Sequence, residues 1–246
     1  MKNTPFIAVT SQPVPYHADT TAIFNTLCQQ NSNSLLLDSA EIGSKNSLQS
    51  LILINAAVKI TCLGNQVTFR ALNANGKQVL KEIHPVLSQL GTVSAVNFDN
   101  EFSVQFAPLD NQLDEDSKLQ AATIFDGLRV ISNHYQHSST PVFLGGLFAY
   151  DLVANFIPMQ GVELKDDGIH CPDYSFYLAE NLITIDHQSQ QATLKSFCFS
   201  QEEQVEVAKT ALSIAQKLKN IDGVLSIKAA SDEVSTNFED PEFTGC

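Results

Sequence analysis

The sequence predicts an α+β fold, built mainly of antiparallel sheet with flanking helices. Extended segments occur in pairs joined by short turns, and amphipathic segments with helical spacing are interspersed among them. The regular strand–helix–strand alternation that builds a parallel sheet is missing.

At the amino-terminal end, Asp19 or Thr20 offers a cap for a helix whose apolar stripe is Ile23, Phe24, Leu27 and Cys28. The polar residues 29–34 end it. Leu35-Leu36-Leu37 reads as a short buried strand, since three consecutive apolar residues leave no solvent face. Beyond residue 51, Val58, Ile60 and Cys62 alternate, Gly64-Asn65 turns, and Val67-Thr68-Phe69 returns, which is a hairpin. Asn75-Gly76 reads as a second turn, ahead of an amphipathic run through Val79, Leu80, Ile83 and Leu87 that Pro85 is expected to break early. Residues 93–98 and 102–106 are strand-like.

The strongest helical pattern covers 116–135, with Leu119, Ile124, Phe125, Leu128 and Ile131 on one face and acids at its start. Residues 142–150 are apolar enough for a central strand, and Gly145-Gly146 within them marks a bulge or a close backbone approach. Residues 174–186 and 192–199 form another hairpin. A last helix over 201–220 carries a stripe of Val205, Ala208, Leu212, Ala215 and Leu218.

Bulk properties exclude several functions. A net charge of −13 is the wrong sign for non-specific nucleic-acid binding or for an anionic membrane surface. The start of the chain has only a four-residue apolar run and no secretory-signal pattern, and no run approaches the ~20 residues that span a bilayer. The five cysteines, at 28, 62, 171, 198 and 246, include no C-x-x-C pair and fit reduced thiols in the cytoplasm.

No catalytic constellation emerges from residue types alone. Gly145-Gly146 lacks the spacing of a nucleotide-binding loop. His134 and His137 fall on one helical face, but without a partnering Cys or carboxylate at metal spacing they serve better as charges at a helix end. Asp151 and Asp173 read as turn or cap residues. Cys171 reads as a loop thiol, and Ser39 as a hydroxyl closing a strand.

Ordered motifs add a family resemblance. Leu35-Leu36-Leu37-Asp38-Ser39-Ala40-Glu41-Ile42, with Ser44-Lys45 and Ser50-Leu51, resembles the LLES segment of anthranilate synthase component I. The likeness runs on through Arg70-Ala71-Leu72, Leu113-Asp114-Glu115-Asp116, Gly145-Gly146-Leu147-Phe148-Ala149-Tyr150-Asp151, Cys171-Pro172-Asp173-Tyr174, Phe176-Tyr177-Leu178-Ala179-Glu180 and Ile185-Asp186-His187-Gln188. It is nearest the enteric bacterial branch.

The resemblance implies a lyase that makes anthranilate from chorismate for tryptophan biosynthesis, with Mg²⁺ and a glutamine amidotransferase partner (component II). Family members are about twice this length and keep the chorismate site, the Mg²⁺ ligands and the ammonia-receiving residues in the second half. Residues 1–230 are therefore expected to form a tryptophan-sensing regulatory domain. Residues 231–246 are expected to be an acidic linker leading into the catalytic region, whose F-x-G-x-V opening Phe243-Thr244-Gly245-Cys246 resembles. On this expectation the chain is a fragment that carries no catalytic residue, needs no cofactor of its own and is inactive alone.

Within the family the LLES segment lines the feedback site for L-tryptophan. That implies Asp38 and Ser39 as ligand-binding residues, Asp38 standing where Glu is usual. Gln49 stands where enteric members often carry Lys. The rest of the pocket is expected from the second half. Two alternatives stay open: the sister aminodeoxychorismate synthase component I, and a free-standing amino-acid-binding module.

Overall fold

The computed structural model describes residues 5–29, 31–38, 48–97, 99–108, 114–136, 138, 140–156 and 171–221. Its chain order is β1 (Ala8–Val14), α1 (Thr20–Cys28), β2 (Leu35–Asp38), β3 (Gln49–Leu63), β4 (Gln66–Ala71), α2 (Ala74–Leu87), β5 (Thr92–Asn97) and β6 (Glu101–Gln105). Then come α3 (Glu115–Gln120), α4 (Asp126–His134), β7 (Leu144–Phe148), a 3-10 turn (Tyr150–Asn155), β8 (Tyr174–Asp186), β9 (Gln191–Cys198) and α5 (Gln204–Lys219). Among the described residues every strand pairing is antiparallel, so the α+β expectation holds.

Two long central strands, β3 and β8, organise the sheet. One end of the pair is flanked by β2 on the β3 side and by β9 and β1 on the β8 side. The other end is flanked by β4, β6 and β5 on the β3 side and by β7 on the β8 side. Between the ends β3 carries a bulge. Leu53 pairs with Leu182 and Ile60 with Phe176, so seven steps along β3 match six along β8.

That extra residue switches which side chains face which way. Before the bulge, Ile52 and Ile54 pack with Ile23 of α1 and with Ile214 and Leu218 of α5, while Leu53 faces the opposite core. After it, Val58, Ile60 and Cys62 join that opposite core, packed against Val79, Leu80, Ile83 and Leu87 of α2 and Ile131 of α4. Among the described residues no helix is long and apolar enough to cross a membrane.

Six expectations change. Leu35–Leu37 is a strand, but it pairs only with β3 among the described residues, and Leu37 is exposed. Asn75-Gly76 is no turn: both lie in the first turn of α2, because the Asn73 carboxamide caps the Gly76 N–H at 2.9 Å. Pro85 sits within α2 and does not end it. Only the last turn feels the missing N–H, and buried Ile83 and Leu87 hold that turn in place.

The single helix expected over 116–135 is two. Ala121 turns extended after α3, and α4 starts afresh at Asp126, whose carboxylate reaches back to the Thr123 N–H at 2.6 Å. Residues 142–150 hold a strand, β7, that pairs only with β8 among the described residues, which leaves Leu147 and Phe148 exposed. Its Gly146 does mark a close approach, since a Cβ there would meet Ser175 O at 2.2 Å. Finally, α5 buries Val207, Ala211, Ile214 and Leu218, so Val205 and Leu212 face outward.

Candidate functional site

Asp38 ends β2, and its register partner across the ladder is Ser50 near the start of β3. Ser50 shares the face of Ile52 and Ile54 and is completely buried. A hydroxyl in such a place is costly unless it is hydrogen-bonded. It is bonded twice: its O–H donates to Asp38 Oδ1, and its oxygen lies 2.8 Å from Nε2 of His187, the residue after β8. Nδ1 of His187 is 3.2 Å from the hydroxyl of Tyr16, which follows β1. From the other side Thr20, the first residue of α1, donates to Asp38 Oδ2 at 3.2 Å.

The direction of these bonds follows from one end. An ionised carboxylate only accepts, so Ser50 donates to it and must accept from His187 Nε2–H. With the imidazole neutral, His187 Nδ1 is then the acceptor for Tyr16 O–H. Four strands or their ends and one helix thus meet at one carboxylate, which is itself exposed. Each Asp38 oxygen keeps one acceptor direction unused by the four groups named. Chemically the arrangement offers a fixed anion facing outward, suited to a donor such as an ammonium.

Ser39, its expected companion, lies outside the described residues, as do His137 and residues 231–246. Gln49 is exposed at the start of β3, one residue before Asp38's register partner Ser50. Tyr16 was not singled out in the sequence, Thr20 was read only as a cap, and Ser50 and His187 entered only through the family resemblance. One signal was available for Ser50: it occupies the core-facing phase of β3, where a hydroxyl is out of pattern.

The remaining sequence candidates are structural. His134 Nε2 and Tyr135 O–H meet Glu82 Oε2 of α2 at 3.0 and 2.9 Å, tying α4 to α2. Asp173 Oδ2 accepts from the Gly64 N–H at 2.6 Å across the β3–β4 turn. Burial and the neighbouring Asp173 charge push the Cys62 thiol up to about 12, so it stays protonated and inert. Cys171 is exposed in a loop.

A second polar cluster lies at the bulge. Glu180 of β8 is buried, and its Oε2 accepts from Asn73 and Asn75 Nδ2 at 2.9 and 2.8 Å. Burial raises its pKa above the ordinary carboxylate value, and the two carboxamides pull the other way. Asn75 also accepts from the Phe199 N–H at 2.6 Å, so this cluster stitches the start of α2 to β8 and to the end of β9.

Comparison with known proteins gives the chain its family. A family model described as chorismate binding enzyme matches residues 79–243, more than half of the chain. An anthranilate synthase component 1 from Haemophilus influenzae is 85% identical over 240 residues, covering 98% of this chain and 46% of its own length. One from Vibrio cholerae is 40% identical over 253 residues, covering 99% of this chain and 47% of its own. One from Escherichia coli is 36% identical over 199 residues, covering 80% and 37%. The chain spans about half the length, or less, of these curated relatives.

Proposed function

The chain belongs to the anthranilate synthase component 1 family, and on that premise we propose that it is the tryptophan-sensing, amino-terminal part of such an enzyme. The whole enzyme converts chorismate and glutamine-derived ammonia to anthranilate and pyruvate in the cytoplasm. The words "component 1" in the relatives' names imply a second component, which on this reading is a glutamine amidotransferase. Residues 1–230 make the regulatory unit, and 231–246 lead toward a catalytic half. On this reading magnesium belongs with that half.

The observation that carries the reading is the held, outward-facing Asp38 carboxylate at the end of the LLLDS segment. It supplies one wall of the pocket and takes the α-ammonium of L-tryptophan, while the Ser39 hydroxyl bonds a second polar group. The other wall comes from the catalytic half. A ligand lodged between two halves acts only by favouring one arrangement over another. A coupling of roughly 1–3 kcal/mol then gives about 5- to 150-fold inhibition.

The test is Ser39→Phe in the full-length enzyme, assayed by anthranilate fluorescence against increasing tryptophan. Inhibition is expected to disappear, and unchanged inhibition removes Ser39 from the pocket. The same assay decides the nearest alternative, since aminodeoxychorismate as product overturns the anthranilate assignment. Calorimetric titration of the 246-residue chain alone is expected to give weak or no tryptophan binding. Tight stoichiometric binding would favour a free-standing amino-acid sensor.

A further inference from the structure

Resting on the reading that Asp38 receives the ligand's ammonium, we propose that His187 is a positioning residue for that site, acting through Ser50, with Tyr16 and Thr20 completing the frame. His187 lies 137 residues from Ser50 and 171 from Tyr16 in sequence, yet its ring bridges the two hydroxyls at 2.8 and 3.2 Å. Its own N–H is anchored to the Leu48 carbonyl at 2.9 Å, on the segment leading into β3. The ring of Tyr16 meets the imidazole edge-on at 5.9 Å, which fixes the ring plane.

The chain of donors has one consistent polarity. Tyr16 donates to His187, His187 to Ser50, and Ser50 to Asp38. With Nε2–H occupying the Ser50 oxygen, the Ser50 proton is directed at Asp38. Without it, a hydroxyl rotates freely among acceptors, and Asp38, at an exposed strand end, loses its anchor on Oδ1. Thr20 holds only the other oxygen.

Anchoring matters more here because the side chain is Asp. One methylene shorter than Glu, it cannot reach far to meet a ligand and must be presented ready. A carboxylate already held in its binding geometry spends less ordering entropy when an ammonium arrives. Hydrogen bonds serving only to glue β2 to β3 have no need of an imidazole two bonds away. A Ser–Asp pair in register does that alone.

The test uses the full-length enzyme and two ligands, L-tryptophan and indole-3-propionate, which lacks the ammonium. Affinities are measured by calorimetry and folding by thermal melts. His187→Phe is expected to weaken tryptophan about three- to tenfold while leaving indole-3-propionate unchanged within about twofold. His187→Gln is expected to restore tryptophan affinity, since its amide can donate to Ser50 and accept from Tyr16. Equal weakening of both ligands, or none, overturns the proposal.

Asp38→Asn separates the two levels. If it leaves tryptophan affinity unchanged, the reading of Asp38 as ammonium partner fails. If it weakens tryptophan and His187→Phe does not, only the positioning role fails. Should His187→Phe not fold, Tyr16→Phe carries the test: a smaller loss confined to tryptophan supports the proposal, and no loss overturns it.

Discussion

Replacing Gly76 by alanine tests how tightly the start of α2 is seated on the bulge of β3. A Cβ built at Gly76 falls 1.9 Å from the Ala57 carbonyl oxygen and 2.7 Å from its carbon. Ordinary contact begins near 3.4 Å, so about 1.5 Å of relief must come from backbone on one side or the other. The Ala57 carbonyl is also the acceptor for the Leu72 N–H at 2.9 Å, and Gly76 N–H is the donor to the Asn73 cap. Overpacking of about 1–3 kcal/mol and a strained cap of about 1 kcal/mol oppose a helix-propensity gain of about 1 kcal/mol. The expected net cost is about 2–4 kcal/mol once the Leu72 bond is included. Urea unfolding followed by circular dichroism measures it, with Gly64→Ala as control. Gly64 has φ of 57° and open space around its Cβ position, so its cost is conformational only, about 1–2 kcal/mol. A Gly76→Ala midpoint at or above that of Gly64→Ala would refute the steric reasoning.

Two further perturbations probe other parts of the fold. Glu180 has its folded-state pKa raised by burial, so the native state holds its proton more tightly than the unfolded chain does. Stability from this group is full below its unfolded value and is lost as pH rises through the folded one. Glu180→Gln is therefore expected to gain on the parent as pH rises above 4.5 in denaturant titrations, and a pH-independent difference would contradict this. The phase of α5 is tested by a pair: Ile214→Ala is expected to cost about 2–4 kcal/mol, whereas Leu212→Gln stays within about 0.5 kcal/mol. Reversed costs in urea titration would restore the stripe read from sequence.

Local chemistry was legible in the sequence where a few neighbouring residues decide the outcome. Asp19 caps α1 at 2.8 Å through the Ala22 N–H, and Gly64-Asn65 closes the β3–β4 hairpin. Tertiary choices were harder to see. Residues 205–218 contain two interleaved apolar stripes, and only the sheet beneath α5 selects the one containing Val207 and Ile214. Pro13 and Pro15 hid β1, which tolerates Pro13 because the strand pairs only with β9 among the described residues. Asp38 was legible through its motif. Its frame was not, because Ser50, His187 and Tyr16 come together only through long-range register.

The bulge in β3 also determines what kinds of sequence change this region can absorb. Removing one residue between Leu53 and Val58 would carry Val58, Ile60 and Cys62 to the face now occupied by Ile52 and Ile54, exchanging inside for outside along half of the strand. Substitutions there face the ordinary rules of volume and polarity, but a change of length faces all of the second core at once. Drift in this segment is therefore confined to replacement. Its count of residues carries structural information that no single side chain holds.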